Sequence, residues 1–298
     1  MAELAPNTGE IKQKAAEETI SPWKEAWKSF RKNKTALVGL SIVLFFVLLA
    51  LTGPLIAPQG INEQNMDIRL QAPSADHWLG TDDFGRDILS RIIHGARISL
   101  SVGFFAVVGS AVVGSLLGIV AGYYGRWVDT IISRIFDILL AFPSILLAIA
   151  VVAALGPSLR NALIAIAIIN VPNFGRLIRS RVLSVKQEEY VMAAKAIGMS
   201  DMRILFSHVL PNSMAPIIVQ GTLAIATAII EAAALGFLGL GAQAPDPEWG
   251  KMLSDARQYM LDAPWTMIFP GLAIMLTVLG FNLMGDGLRD ALDPKMKN

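Results

Sequence analysis

Six long stretches of this chain carry almost no charge, and that pattern limits the fold more than any other feature. Ala36–Ile56, Ile98–Gly125, Ile138–Leu159, Asn161–Gly175 and Ala263–Gly285 hold no Asp, Glu, Lys or Arg, and Val209–Ala244 holds only Glu231. At about 1.5 Å per helical residue, such runs match the roughly 30 Å hydrocarbon layer of a bilayer. Lipid offers nothing to hydrogen-bond a backbone, so apolar runs of this length cross as helices. The expected fold is an all-α integral membrane protein with six spans. Composition agrees: 54% of the 298 residues are hydrophobic and only 16% charged.

Read in order, residues 1–35 form a polar tail followed by an interfacial helix, and residues 1 to about 20 are expected to be disordered. Ser21 and Pro22 make a helix start, and Trp23, Trp27 and Phe30 share a face opposite Lys24, Lys28, Arg31 and Lys32. Span one is 36–56, read as an uncleaved anchor because no small-residue cleavage pattern follows it. A polar loop, 57–97, comes next. Its Asp82, Asp83 and Asp87 lack the ligand spacing of a calcium loop and are read as turn-forming or solvated.

Residues 98–290 hold spans two to six. In span two, Ser110, Gly114, Gly118 and Gly122 recur every fourth residue, a small-residue ridge that admits a second helix. Span three, 138–159, is expected to kink at Pro143, with Arg134 and Asp137 pairing at its start. Span four, 161–175, is short and needs Arg160 and Arg176 to reach opposite surfaces. Span five carries Glu231, for which pairing or an interface position is preferred over pathway lining; Asn170 in span four is the second candidate pathway residue. Span six is broken at Pro270, and 291–298 is a tail. The basic residues before span one, with Arg176, Arg179, Arg181 and Lys186 after span four, place both termini in the cytoplasm.

Between spans four and five lies a charged segment, 184–211, SVKQEEYVMAAKAIGMSDMRILFSHVLP. Ser184 and Gln187 fit a capping box, with Glu188 and Glu189 near the positive end of the helix dipole. The helix runs through Ala193 and Ala194 to Ile197. Gly198 then takes a left-handed conformation, Ser200 caps a second helix from Asp201 through Arg203 to about Leu210, and Pro211 redirects the chain. Met202, Leu205, Phe206 and Val209 are expected to form its apolar face. The product is a bent pair of helices in which small Ala193 and Ala194 leave the backbone open to another protein's socket.

Several chemistries are excluded. No G-x-x-x-x-G-K-[ST] loop is present, so the chain cannot cradle nucleotide phosphates in the P-loop manner. It has no cysteine and no HExxH, and its three histidines are scattered, which leaves a membrane hydrolase without a catalytic constellation. A net charge of +1 provides no basic excess for nucleic acid. Nor is there a repeated selectivity element of the kind a stand-alone channel uses.

The spacing of Ala193, Ala194, Gly198, Leu210 and Pro211 resembles the EAA loop in membrane subunits of bacterial ABC importers, with Met192 where that loop has Glu and His208 where Ile is usual. TDDFGRDILSRIIHGARISLSVG, AGYYGRWVDTIISRIFDILLAFPSILLAI, FLGLGAQAPDPEWGKMLSDARQYM and FPGLAIMLTVLGFNLMGDGLRDALDPK extend the resemblance to the second permease subunit of dipeptide, oligopeptide and nickel importers. The resemblance implies a type I importer in the bacterial inner membrane. Its expected partners are a homologous permease, two cytoplasmic ATPases that bind ATP and magnesium, and an extracytoplasmic solute-binding protein. No cofactor is implied in this chain. The segment 184–211 would dock on an ATPase through Glu188, Glu189, Ala193, Ala194, Gly198, Ser200, Asp201, Arg203, Leu210 and Pro211. A peptide substrate is expected, with a nickel chelate as the alternative within this class and a stand-alone membrane channel as the alternative from another class.

Overall fold

The computed structural model describes residues 22–292, the side chains of Pro22 and Trp23 aside. The polar segment expected to be disordered and most of the C-terminal tail lie outside the described residues. Helix α1 (Pro22–Phe30) is followed by α2 (Lys34–Ile56), α3 (Ile88–Tyr124), α4 (Arg126–Ala141), α5 (Ser144–Leu155) and α6 (Leu159–Val185). Then come two short helices, α7 (Glu189–Ala196) and α8 (Asp201–Ile204), and the long α9 (Leu210–Phe237). The series ends with α10 (Trp249–Ala256) and α11 (Trp265–Leu292). Among the described residues, five helices are long and apolar enough to cross a membrane, or six if α4 and α5 count as one span.

The centre of the bundle is the contact of α3 with α6, and the glycine ridge makes it possible. A methyl group at Gly114 would sit 2.5 Å from the Val171 carbonyl oxygen, and one at Gly122 would sit 2.9 Å from the Val182 Cβ. At Gly118 it would fall on the Gly175 carbonyl. Two backbones therefore meet directly, which in lipid supplies the packing that hydrophobic exclusion supplies in water. Gly175 is pinned from its other side by the fully buried Phe136 ring of α4.

Three expectations need correction. The run around Pro143 is no gentle kink: Phe142 and Pro143 are extended, and α4 and α5 diverge by 96°. A proline restricts the residue before it to extended backbone, so the helix stops and restarts. Span two begins at Ile88 and not at Ile98, because the Asp87 side chain accepts from Ser90 N–H at 2.8 Å and caps the helix inside the polar segment. Arg134 does approach Asp137, at 3.9 Å, but Asp137 takes its shorter bond, 2.5 Å, from Arg176 on α6. The crossing of α4 and α6 thus gives Arg176 a protein partner, where the sequence suggested a reach to the surface. The same crossing joins Arg179 to Asp129 through two guanidinium nitrogens, Nε and Nη2, the latter at 2.7 Å.

At the opposite end, the stretch 57–87 folds into tight turns. Asp82 accepts from the backbone of Phe84 and of Arg86, each at 2.9 Å, and from the Arg86 side chain at 2.6 Å. Buried His77 lies 3.1 Å from Asp87. The segment after α9 contains α10, whose buried Trp249 donates from its indole to the Ile92 carbonyl at 3.1 Å.

Candidate coupling site

The segment between α6 and α9 is a bent pair of short helices, but its boundaries differ from those the sequence suggests. Helix α6 continues through Ser184 to Val185 because Ile178 and Val182 are fully buried and hold its last turns against the bundle. Ser184 is therefore helical. The Gln187 N–H bonds to its carbonyl, and the expected capping box is absent. Glu188 is the N-cap of α7 by backbone geometry alone, without a side-chain bond, and Glu189 occupies the first turn; both are exposed. Gly198 has φ +82° and ends the helix as expected, its N–H bonded to the Lys195 carbonyl at 3.0 Å. Ser200 stands at the N-cap of α8, yet its side chain makes no capping bond.

Pro211 does not redirect the chain. Helical backbone runs unbroken from Asp201 to Phe237, with a π-helical turn at Leu205–Val209 just before the proline. There the Leu210 N–H reaches back to the Leu205 carbonyl. A widened turn loosens the ladder at the point where proline can offer no donor, so the helix absorbs a residue that would otherwise break it. Leu210 is half-buried and Pro211 exposed.

The buried face also differs. Val191, Ala194, Ile204, Leu205 and Val209 pack with Tyr123, Ile178 and Val182 into one cluster. Ala194 is thus spent on internal packing and only Ala193 is open, against the expectation that both face outward. Met202 and Phe206, expected in the apolar face, are 58% and 60% exposed. With Tyr190, Met192 and Ile197 they form an apolar crest over the bend, flanked by exposed Lys195 and Arg203.

Two residues to which the sequence reading gave no part in the docking segment tie this crest to the bundle. Tyr123, near the end of α3, donates its hydroxyl to Asp201. Lys186 donates to the Tyr123 carbonyl at 2.7 Å and lies 5.3 Å from its ring centre. His208 packs against the Tyr190 ring at 5.8 Å, and Asn212 bridges the two residues by donating to the His208 carbonyl and the Tyr190 hydroxyl. A tyrosine two residues before Gly125 gave no signal of such a partner, since Asp201 lies 78 positions away.

The second pair of candidates meets inside the bundle. Asn170 donates from its side chain to Glu231 at 3.1 Å and to the Ile166 carbonyl at 3.0 Å, with both residues buried. Ser144, at the start of α5, also hydrogen-bonds Glu231. The carboxylate therefore has the protein partners that its depth requires.

Among the described residues, a helical bundle with five or six membrane-length spans and a short helical pair projecting between two of them fits the class of transport permeases. The profile of the binding-protein-dependent transport system inner membrane component matches residues 114–298, and that of the N-terminal TM domain of oligopeptide transport permease C matches residues 21–73. The chain belongs to the family of binding-protein-dependent transport system inner membrane components, the permease subunits of ABC importers. It is 68% identical over 279 residues to the dipeptide transport system permease protein DppC of Alkalihalophilus pseudofirmus, covering 94% of this chain and 92% of the relative. The di/tripeptide transport system permease protein DppC of Pseudomonas aeruginosa is 52% identical, covering 93% and 94%. The glutathione transport system permease protein GsiD of Pectobacterium atrosepticum is 49% identical, covering 93% of each. The fold is shared with an inward-facing structure of the MetNI methionine ABC transporter, at a TM-score of 0.56 and 19% identity over 68% of this chain and 96% of that one.

Proposed function

We propose that this chain is one of two permease subunits through which an ATP-driven importer passes dipeptides, and that its α7–α8 crest docks on a cytoplasmic ATPase. The observation that carries the coupling role is the crest itself. Five large apolar side chains are held in the open by a segment whose other face is locked to α3 and α6. A patch of that kind on a rigid base suits a protein partner. The docking set then includes Glu188, Glu189, Ala193, Gly198, Ser200, Asp201 and Arg203 around Met192, Ile197, Met202 and Phe206, with Ala194, Leu210 and Pro211 setting its shape. Both termini and the crest lie in the cytoplasm, a reading supported by Lys24, Lys28, Arg31 and Lys32 on α1 and its approach.

ATP and magnesium belong to the partner ATPases, and solute arrives from an extracytoplasmic binding protein. The dipeptide reading is supported by the 68% identical relative. The nickel alternative gains nothing from the relatives named above, which are peptide and glutathione permeases. ATPase closure moves the crest, and the Tyr123 and Lys186 links pass that displacement to α3 and α6. Differential contact in two states supplies the coupling. Glu231 and Asn170 brace α9 on α6 beside the α4–α5 bend, where such a displacement is transmitted. The domain division that follows is an N-terminal segment to residue 35, a first span, an outer loop, a permease core with its crest, and a tail.

The test is to tag the chain, extract it gently from native membranes, identify what copurifies, and measure dipeptide uptake by the reconstituted assembly. Recovery of a second permease and ATPases with ATP-dependent dipeptide uptake is the expected result. A chain that copurifies with neither, under conditions that preserve another importer, defeats the proposal.

A further inference from the structure

A second feature of the bundle, distinct from the crest and from the Glu231 pair, is a cavity of about 520 Å³ between α6, α9 and α11. That size falls in the roughly 300–1,000 Å³ range of small-ligand clefts. Its floor is one stripe of α9, on which Asn212, Pro216, Val219, Gln220 and Leu223 follow helical spacing. Arg181 of α6 stands on one wall and Arg289 of α11 on the other. Among the described residues, no Asp or Glu lines it.

Asn212 has its side-chain partners in the crest, but three other polar side chains here have none in the protein. Among the described residues, the side chains of Arg181, Arg289 and Gln220 have no hydrogen bond or ion pair, in contrast to Arg176 and Arg179 on the same helix α6, which both have carboxylate partners. Gln220 is half-buried and lies two turns deeper along α9 than Asn212, about 12 Å at the helical rise. A lipid chain filling this groove would leave its carboxamide without a partner in an apolar contact, which is costly. Two guanidinium groups and a carboxamide, facing a space that no described acidic residue lines, present donors from which a carboxylate accepts.

We propose that this cavity seats the terminal carboxylate of the transported peptide at the crest end of the path, with Arg181 and Arg289 as counter-charges and Gln220 as a donor. The inference rests on the peptide reading above. Every dipeptide carries one such carboxylate whatever its side chains, so a seat of this kind handles peptides without regard to sequence. Exposed arginines on opposite walls bind it loosely enough to let it leave.

The absence of cysteine from the chain gives a direct test. Ala215→Cys places a single thiol on the half-buried cavity floor. In the whole importer, held in phosphatidylcholine nanodiscs without nucleotide, its labelling is timed with an anionic sulfonate and a cationic trimethylammonium methanethiosulfonate. Labelling of the unsubstituted complex is subtracted. The anionic reagent should react about tenfold faster, the lower end of the enrichment produced by a cleft of one charge sign. Arg181→Gln with Arg289→Gln, both at exposed positions, should bring the two rates together. Alanyl-phenylalanine should protect the thiol, and its C-terminal amide should not.

Equal rates for the two reagents, equal protection by the amide, or protection only when phosphatidylglycerol is added would each overturn the carboxylate seat; the last outcome would assign the cavity to a lipid headgroup. Dipeptide uptake is measured on the same unsubstituted complex. Uptake without charge-selective labelling defeats this inference alone, whereas a complex that takes up no dipeptide defeats the substrate reading beneath it.

Discussion

The hydroxyl of Tyr123, almost at the end of α3, donates to the carboxylate of Asp201, the first residue of α8. The long central helix and the projecting crest are thereby joined outside the backbone path that connects them. Tyr123 is 6% exposed while Asp201 is exposed, so the bond bridges the bundle's core and its surface.

Tyr123→Phe keeps the ring, its place in the cluster around Ile178 and Val182, and the cation–π contact with Lys186. Only the hydroxyl is lost, at a cost of about 1 kcal/mol for a hydrogen bond with one end in water. The importer should therefore assemble normally. Dipeptide uptake per ATP hydrolysed, measured in proteoliposomes, should fall several-fold. An unchanged ratio would remove the α3 link from the coupling route.

A sharper loss is expected at the bend. Gly198 has φ +82° with open space where a side chain would point, so Gly198→Ala meets only the left-handed backbone penalty of about 1–2 kcal/mol. Gly198→Pro cannot reach that φ and also removes the N–H that bonds Lys195. The alanine variant should keep part of the uptake activity, and the proline variant should hydrolyse ATP without uptake. Ala194→Leu adds a bulky side chain to a closed cluster and should cost about 1–3 kcal/mol, with the same uncoupled phenotype. Full stimulated hydrolysis and uptake in the proline and leucine variants would disprove the docking assignment.

The fold was legible from charge and spacing to the extent that single helices explain it. Five of the six uncharged runs fall largely in helices long and apolar enough to cross a membrane, and the Ser110–Gly122 ridge marks a close helix contact, since both are properties of one segment alone; the sixth, 138–159, straddles the bend between α4 and α5. Partners were not legible. Arg176 and Arg179 read as surface charges, yet Asp137 and Asp129 answer them from α4, and nothing in either segment reveals how the two helices cross. Gly198 was read correctly because only one residue type suits its backbone. Pro211 misled, because a π turn allows a helix to pass a proline and leaves no distinct mark in sequence. In the crest, apolar periodicity could not separate the side that packs from the side that stays open. Ile204 is fully buried while Met202 and Phe206 project.

Gly118 tests the central contact. Its missing side chain lets the α3 helix rest on the Gly175 carbonyl, and a Cβ added there would also lie 3.1 Å from the Arg179 backbone nitrogen. Both neighbours are backbone and cannot turn aside. Gly118→Val must separate α3 from α6, at about 1–3 kcal/mol or more. The thermal midpoint of the detergent-solubilised complex should drop by several degrees. The same change at Gly125, which has nothing within 4 Å but a φ of +64°, strains only the local turn and should lower it less. Equal drops would place the importance of both glycines in backbone freedom and not in close packing.

Glu248 predicts a pH dependence at the opposite end of the bundle. It caps α10, accepting from the Gly250 and Lys251 backbone at 2.8 Å each, and from the Ser99 hydroxyl at 3.3 Å. These bonds favour the charged form, but burial at 2% exposure outweighs them and raises the pKa above its usual 4.5. The folded chain therefore holds this proton to higher pH than the unfolded chain does. Its contribution to stability is complete below 4.5 and declines as pH rises through the raised value. Glu248→Gln retains one acceptor for the helix cap and cannot ionise. Thermal unfolding of the solubilised complex, followed from acid to neutral pH, should show a smaller decline in the variant than in the wild type. Parallel curves would mean that the carboxyl is charged in the folded protein throughout, and that the α10 cap outweighs its burial.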